Sequence, residues 1–161
     1  MAYTLVPTTF KVPEQLRHEY FVLRPLTIHD VVKDYDAVMS SAERIHGVLG
    51  PDTDWPPANL TLEQDLIDLG WHQREFQTRR SFAYTVMTPD ESRCLGCVYI
   101  YGSDTPAYDA MVVLWVRNSA YEQGLDEVLF RIVKTWISEH WPFNTVAYPG
   151  RETDWSECNS L

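Results

Sequence analysis

The segment 114–126, LWVRNSAYEQGLD, joins three apolar residues to a polar run and then to a glycine that opens a long helical pattern. Backbone N–H groups at the start of a helix point the same way and carry partial positive charge, so they can bind an anion such as a phosphate. Gly124 would let such a ligand approach the backbone closely. Asp126 and Glu127, however, suit the first turn of any helix. On the residues alone, an anion site and a plain strand-to-helix connection both stay open.

The other residues that could do chemistry form no familiar motif. Cys94 and Cys97 make a single Cys-x-x-Cys with no second pair and no histidine at ligand spacing, which disfavours zinc. Because residues three apart on a strand point to opposite faces, we expect the two thiols on opposite sides of a sheet. No Gly-x-Ser-x-Gly occurs and the histidines are scattered, so neither a hydrolase triad nor a metal site is predicted. The histidines are His18, His29, His46, His72 and His140.

Composition disfavours several classes of partner. The 161-residue chain has a formal net charge of −10 and no block of lysine or arginine, whereas nucleic acid and anionic membranes attract basic surfaces. No apolar run approaches the roughly 20 residues of a membrane span, and the first residues lack a signal-peptide pattern. Three cysteines are too few for a disulfide framework. We therefore predict a cytoplasmic protein with an irregular arm at 1–18 and a single domain at 19–161, binding neither nucleic acid nor membrane.

The apolar pattern predicts elements in the order β-α-α-β-β-β-α-β. Strands are predicted at 19–26, 81–87, 93–101, 108–116 and 145–148. Helices are predicted after Thr27, after the Thr61–Gln64 capping box, and from 125 to 141. The segment 46–59, rich in proline and glycine, is predicted to be a loop.

The spacing of apolar residues also predicts which face of each helix is buried. These faces are Ile28, Val31, Val32, Tyr35 and Val38, then Leu62, Leu66, Leu69 and Phe76, then Leu125, Val128, Leu129, Ile132, Val133, Trp136, Ile137 and Trp141. The strands at 108–116 and 145–148 flank the long helix as a β-α-β unit and should therefore be parallel. The earlier strands, joined by short turns, should be antiparallel. The predicted fold class is α/β (α+β), a mixed sheet with helices on both faces.

This order of elements, together with the segment quoted first, resembles the GNAT superfamily of acyl-CoA-dependent N-acetyltransferases. The family's signature is a strand ending in a Val-like residue, then Arg or Gln-x-x-Gly-x-Gly or Ala, then a long helix. Here Val116 ends the strand, Tyr121 stands in the Arg/Gln position, and Gly124 is the central glycine, while Asp126 replaces the last small residue. The stretch CLGCVYIYG is similar to the family's preceding strand, where a Leu-Gly pair is common. The resemblance covers 19–148.

The resemblance implies a fold, a reaction and a set of residues. The fold would be a GNAT-like, mainly antiparallel sheet with one parallel β-α-β unit. Acetyl-CoA would be the co-substrate, without a metal, and its acetyl group would pass directly to a small amine or a protein amine with no covalent enzyme intermediate. The residues implied to bind acetyl-CoA are Leu114, Trp115, Val116, Tyr121, Gln123, Gly124 and Leu125. The candidate catalytic carboxylate is that of Asp109. Glu43 and Glu75 lie on the helices that usually frame the acceptor in this family. Trp115 and Tyr108 could line a channel for the pantetheine part of the donor.

Several features depart from the family pattern. Tyr121 carries no charge, Glu122 is a bulky acid, and Asp126 should repel a bound anion by roughly 0.3–1 kcal/mol. Family members usually continue after the last predicted strand with a helix, which often supplies a tyrosine acid, and two strands, whereas about a dozen residues follow Pro149 here. We expect the arm at 1–18 or the tail at 149–161 to cover a sheet edge or to join a subunit contact. The alternative function is a GNAT-fold binding or interaction protein without transferase activity, paired as a homodimer.

Overall fold

Six strands form one sheet whose spatial order is the order of the strands along the chain. They are β1 Leu16–Arg17, β2 Val22–Pro25, β3 Phe82–Met87, β4 Cys94–Tyr101, β5 Ala110–Val116 and β6 Val146–Ala147. All neighbours are antiparallel except β5 and β6, which are parallel. The structure is a computed structural model that describes residues 3–158. Residues 1–2 of the predicted arm and 159–161 of the predicted tail lie outside the described residues. The predicted mixed sheet and its parallel pair are confirmed.

Helices cover both faces of the sheet. They are α1 Val31–Met39, α2 Ala42–Ile45, α3 Leu62–Gln77, α4 Asn118–Glu122, α5 Leu125–His140 and α6 Trp155–Cys158. The predicted capping box starts α3, because the Thr61 side chain accepts from the Gln64 N–H and the Gln64 side chain accepts from the Thr61 N–H, each at 3.1 Å. The short helices α2, α4 and α6 were not predicted, since segments of four or five residues are too short to show a helical period.

Strand β5 divides the core between the two faces. Its residues Val112, Leu114 and Val116 pack toward α5, whereas Val113 and Trp115 pack toward α1 and α3. The predicted apolar face of α5 is confirmed: four of its residues are buried within the helix, Trp141 is buried just after it, and Leu125, Val128 and Ile132 are partly buried in the same cluster. The four are Leu129, Val133, Trp136 and Ile137.

The predicted faces of α1 and α3 are partly wrong. Val32 is 68% exposed and Leu66 is 40% exposed, although both belong to the predicted apolar faces. The buried side of α1 instead carries Asp34, and that of α3 carries Asp65 next to the apolar residues expected there. Each helix is rotated so that one aspartate faces the sheet, and this rotation creates the polar cavity described below.

The arm lies on the α5 face of the sheet. Val6 is buried in that cluster, the Tyr84 hydroxyl donates to the Pro13 carbonyl, and Phe10 packs on Trp141 at 5.4 Å between ring centroids. The arm also forms β1, which pairs with β2 and so covers that sheet edge over two residues. The strand predicted at 19–26 therefore begins only at Val22, because the residues before it make the turn from β1.

A bulge in β4 overturns the prediction for the two cysteines. Val86 pairs with Gly96, but the next residue, Met87, pairs with Cys94, so one extra residue is inserted in β4. An inserted residue changes which side chains share a face. Cys94 and Cys97 therefore both lie buried on the α1 and α3 face as free thiols, and the expectation of opposite faces is wrong.

Gly96 lies at this bulge against β5, and we expect it to be intolerant of any side chain. A Cβ atom there would overlap the Trp115 carbonyl oxygen and lie 2.9 Å from the Val116 Cα, and both are backbone atoms of a central strand that cannot move aside cheaply. Gly96→Ala should lower the free energy of unfolding by about 1–3 kcal/mol, measured by urea denaturation.

Gly70 provides the matched control for this substitution. It lies within α3, and a Cβ there would be 3.8 Å from the nearest atom, the Ile28 Cγ2. Gly70→Ala should therefore stabilise the protein by about 0.5–1 kcal/mol. Equal effects of the two substitutions would show that the close contact of β4 with β5 does not constrain Gly96.

Candidate functional site

The parallel pair is short, and this leaves one edge of β5 open. Strand β6 pairs with β5 only at Ala110–Val146 and Met111–Ala147, so within the described chain no strand lies beside residues 112–116 on that side. A cleft of about 360 Å³ follows this open edge, and we call it the edge cleft. It is lined by Arg44, Ile45, His46, Gly47, Val48, Val113, Leu114, Trp115, Tyr121, Asp126, Pro149, Gly150, Arg151 and Trp155.

Arg151 brings the tail onto this edge. Its guanidinium forms a two-point ion pair with Asp126, at 2.8 and 2.9 Å, and donates to the Leu114 carbonyl at 3.3 Å. The tail thus contacts the sheet edge at Leu114, which agrees in part with the expectation for 149–161, and it leaves the rest of the edge open. The pair also changes the prediction for Asp126, because a carboxylate neutralised by an arginine repels a nearby anion much less than a free one.

Arg44 supplies the positive charge that the Arg/Gln position lacks. Its guanidinium lies 4.3 Å from the centre of the Tyr121 ring, donates to the Asn118 Oδ1 at 2.6 Å, and donates to the Val116 carbonyl. No carboxylate of residues 3–158 forms an ion pair with it. Burial lowers the pKa of Arg44, yet a guanidinium remains charged at any physiological pH. An unpaired cation therefore stands at the mouth of the edge cleft.

The connection from β5 to α5 differs from the predicted anion loop. Residues 118–122 form α4, and the N–H groups of Ala120, Tyr121, Gln123 and Gly124 all donate to carbonyls within the connection. The backbone N–H groups of Tyr121, Gln123 and Gly124, which an anion at this loop would need, are thus already hydrogen-bonded within the protein. Gly124 does adopt the left-handed conformation, with φ of 80°, and has open space around its Cα. The N–H groups left for a ligand are those of the first turn of α5, beginning at Leu125.

The structure brings together only part of the predicted acetyl-CoA set. Leu114, Trp115 and Tyr121 line the edge cleft. The carbonyl of Val116 accepts a hydrogen bond from Arg44, which also lines the cleft. Gln123 and Leu125 instead line a separate cavity of about 530 Å³ on the α5 side. The sequence did not indicate Arg44 or Arg151, because each reaches the cleft from an element remote in the chain.

The predicted carboxylates lie away from the edge cleft. Asp109 is at the opposite end of β5 from Val116, and its Oδ2 accepts from the N–H groups of Asn144 at 2.7 Å and Thr145 at 3.1 Å. This carboxylate anchors the start of β6, and its catalytic part stays a prediction. Glu43 and Glu75 line two further surface cavities. Tyr108, expected in the pantetheine channel, instead donates to Glu157 at 3.3 Å.

A second cavity, of about 210 Å³, lies between α1, α3 and β4, and we call it the acidic cavity. Its polar groups are Asp34 from α1, then Asp65, Asp68 and His72 from α3, and the hydroxyl of Tyr99 from β4. The remaining lining residues are Leu26, Leu49, Thr53, Trp55, Leu69, Trp71 and Tyr101. Sequence reasoning did not predict this site, because its residues come from five segments and each looks ordinary in isolation.

Burial dominates the electrostatics of the acidic cavity. It raises the pKa of Asp34 well above its usual value, and the neighbouring Asp65 carboxylate raises it further. Burial likewise raises the pKa values of Asp65 and Asp68, and it lowers that of His72 to about 4, so this imidazole is neutral at pH 7. The Asp65 Oδ2 and the His72 Nδ1 are buried without a hydrogen-bond partner among the described residues.

One hydrogen-bonded pair separates the two cavities. The Trp115 indole N–H donates to the Tyr99 hydroxyl at 3.0 Å, with Trp115 lining the edge cleft and Tyr99 lining the acidic cavity. Trp55 lies against the same wall, 6.1 Å from Trp115 between ring centroids. The two cavities are therefore neighbours on one side of the sheet.

Residues 3–158 contain neither a metal-type cluster of side chains nor a helix that could span a membrane. No three His, Cys, Asp or Glu side chains in this range are grouped as a metal ion would require. None of its helices has both the length and the apolar character needed to cross a membrane. The cysteines Cys94, Cys97 and Cys158 are all unpaired and buried.

The buried carboxyl pair should make stability depend on pH. An acid whose pKa is raised by folding binds its proton more tightly in the folded state, so the stability it contributes is lost as the pH rises from about 4 through the folded pKa. Asp34→Asn removes this loss. Relative to wild type, its free energy of unfolding should therefore increase between pH 4 and 7, by up to about 1.4 kcal/mol per pH unit.

Denaturant unfolding at several pH values measures this difference. Asp104→Asn, at an exposed turn, is the matched control and should keep a constant offset from wild type. A constant offset for Asp34→Asn as well would mean that this carboxyl ionises as freely in the folded protein as in the unfolded chain.

Comparisons with known proteins place this geometry in a structural class. No family model and no curated protein sequence matches the chain. Several solved structures do match. One example is an acetyltransferase from Agrobacterium tumefaciens, with a TM-score of 0.59 and 20% sequence identity; the match covers 94% of this chain and 82% of that one. The ribosomal-protein-S5-alanine acetyltransferase from Vibrio fischeri matches with a TM-score of 0.59 and 14% sequence identity, over 76% of this chain and 66% of that one.

RimL, a ribosomal L7/L12 alpha-N-protein acetyltransferase solved in complex with coenzyme A, matches at TM-score 0.60 and 14% identity, over 76% of this chain and 67% of that one. The chain thus spans about two thirds of the length of two of these three structures. Identities of this size establish a shared fold and leave activity open. The chain has the GNAT fold, the fold of these acetyltransferases.

Proposed function

We propose that the chain is an acyl-CoA-dependent N-acyltransferase that transfers an acetyl group from acetyl-CoA to an amine. The observation that carries this proposal is the edge cleft: an open strand edge in a GNAT fold, with the unpaired cation Arg44 at its mouth. The structures of similar fold are acetyltransferases, and one of them was solved with coenzyme A, which supports the same donor here.

The charges at the cleft fit an anionic donor. The chain has a net charge of −10, so its overall field opposes a polyanion such as coenzyme A. Arg44 provides a local exception, and Asp126 is compensated by Arg151. A phosphate at the start of α5 would also meet the remaining N–H groups of that helix and the positive end of its dipole.

The open edge of β5 fits the rest of the donor. An extended chain that carries amide groups can lie along an unpaired strand edge and use its N–H and C=O groups as a further strand would. The carbonyl of Leu114 lies on this edge, now bonded to Arg151. In the reaction the neutral amine nitrogen forms a bond to the acetyl carbon, the carbon–sulfur bond breaks, and the proton that the nitrogen loses goes to the departing thiolate, which leaves as the coenzyme A thiol.

A binding or interaction protein without transferase activity is the second candidate. One observation favours it: Arg44 and Arg151 already bond the carbonyls of Val116 and Leu114. The N–H groups of Ala120, Tyr121, Gln123 and Gly124 are also already used within the connection from β5 to α5. A donor would have to displace the Arg151 contact. If that contact stays in place, the edge cleft is closed by the chain itself.

Binding of acetyl-CoA tests the proposal, and Arg44→Gln tests its structural basis. A ligand that binds only the folded state raises the melting temperature, by an amount equivalent to about 2.7 kcal/mol at a hundred times its dissociation constant. Removing the Arg44 charge should weaken acetyl-CoA binding about tenfold or more, because a charged hydrogen bond contributes about 1.5–3 kcal/mol. Calorimetry at low ionic strength measures the affinity directly.

Arg131→Gln, on the exposed side of α5, is the control that makes the same change in charge. It should leave the affinity within twofold of wild type. Release of the coenzyme A thiol and the mass of the acetylated amine report transfer itself. No melting shift at millimolar acetyl-CoA, together with no product, would exclude the transferase and leave the binding protein.

A further inference from the structure

The acidic cavity holds two carboxylates that no cationic side chain of residues 3–158 neutralises. Asp34 from α1 and Asp65 from α3 lie next to each other, and neither forms an ion pair with any lysine, arginine or histidine within residues 3–158. Both residues are almost fully buried, at 3% and 1% exposure. Two adjacent carboxylates in such a place cannot both stay charged, so they share a proton or they bind a cation.

One polar atom of this pair is left without a partner. The Asp34 Oδ1 accepts from the Cys97 thiol at 3.4 Å, and the Asp34 and Asp65 carboxyls lie close enough to hydrogen-bond to each other through a shared proton. When that proton is lost, the Asp65 Oδ2 has no donor among the described residues. A buried carboxylate oxygen without a donor is costly, and such atoms are rare in folded proteins. Asp65 lines the cavity, but its Oδ2 is closed off from it, so a donor inside the cavity reaches this atom only after the carboxylate turns toward the cavity.

The walls of the cavity are of the kind that bind organic cations. Tyr99 and Tyr101 lie side by side at 5.9 Å between ring centroids, and His72 stacks on Tyr99 at 5.2 Å. Trp55 and Trp71 complete the aromatic lining. Aromatic side chains provide an apolar surface for the body of an organic cation, and a neutral His72 adds no opposing charge.

We infer that the acidic cavity binds a small organic ammonium ion, with its charged group at Asp34 and Asp65 and its apolar body against the aromatic wall. The volume of about 210 Å³ suits a short alkylamine, since sites for drug-sized ligands usually measure about 300–1000 Å³. The N–H groups of an ammonium ion supply the donor that the Asp65 Oδ2 lacks.

The position of the cavity gives this ligand a role. It lies one hydrogen-bonded pair, Trp115 and Tyr99, away from the edge cleft. Once the bound ammonium ion has given one proton to the Asp34 and Asp65 pair, the neutral amine is the acceptor of the proposed transfer, and its second proton goes to the departing thiolate. This role rests on the proposed function. The binding itself does not, because it requires only the groups that line the acidic cavity.

Titration with n-butylammonium chloride, in the absence of acetyl-CoA, tests the binding. The full chain should show a saturable change in tryptophan fluorescence, because Trp55 and Trp71 are in the wall, and a matching heat by calorimetry. 1-Butanol has the same shape without the charge and should bind at least tenfold more weakly. Sodium chloride at the same ionic strength should produce no saturable change.

Asp65→Asn tests the residues. It should weaken butylammonium binding at least tenfold, whereas Glu63→Gln, an exposed site on the same helix, should stay within twofold of wild type. Should Asp65→Asn not fold, Asp34→Asn carries the same expectation. Equal binding of butylammonium and 1-butanol, or full affinity in both aspartate variants, overturns the inference.

Proton release gives an independent readout. An ammonium ion that replaces the proton shared by the two carboxylates should release up to one proton near neutral pH, seen as a dependence of the binding heat on the ionisation enthalpy of the buffer. The titratable groups that face this pair are Asp68 and His72 from α3 and Cys94, Cys97, Tyr99 and Tyr101 from β4. Saturable binding without proton release contradicts placement of the charge at Asp34 and Asp65.

Two further experiments distinguish a small free amine from a lysine side chain, and simple amine binding from a role as acceptor. Nα-acetyl-lysine N-methylamide, whose side chain ends as butylammonium does, should bind at least tenfold more weakly because its two amides do not fit the cavity. Affinity equal to that of butylammonium would overturn the choice of a small free amine. If the protein binds the amine but does not bind acetyl-CoA, the cavity remains an ammonium site and only its role as the acceptor site is excluded.

Discussion

The site depends on the open edge of β5. Backbone N–H and C=O groups that leave solvent need partners, and β6 supplies them along only two residues of β5. Beyond that point Arg151 bonds the Leu114 carbonyl and Arg44 bonds the Val116 carbonyl. The side chains that satisfy this edge are therefore also the side chains that line the edge cleft, and a donor molecule would use the same groups.

The second constraint is the cost of burying Asp34 and Asp65 together. Two carboxylates between helices and a sheet destabilise the fold unless they share a proton or hold a cation. Apolar residues at both positions would give a more stable core, and the helical spacing of α1 and α3 offers them nearby, for example at Val32 and Leu66, which are exposed instead. A cavity that binds a cation accounts for this arrangement.

The departures from the family signature are offset by residues distant in the chain. Tyr121 has no charge, but its ring supports the Arg44 guanidinium and so keeps a cation at the same place. Asp126 would repel an anion, but Arg151 neutralises it. In each case the compensating residue comes from another element, so a comparison limited to the loop underestimates what the site can bind.

Local patterns in the sequence determined the order of elements, the buried face of α5 and the parallel pair of strands, because these follow from spacing along one segment. Three features were decided only by the tertiary structure. The bulge at Gly96 put Cys94 and Cys97 on one face because it adds a residue relative to β3, which is a property of pairing. The orientation of α1 and α3 placed Asp34 and Asp65 inward, since the packing of both helices on the sheet sets their rotation. The edge cleft and the acidic cavity combine residues from segments far apart in the chain, and their contacts exist only once the chain has closed on itself.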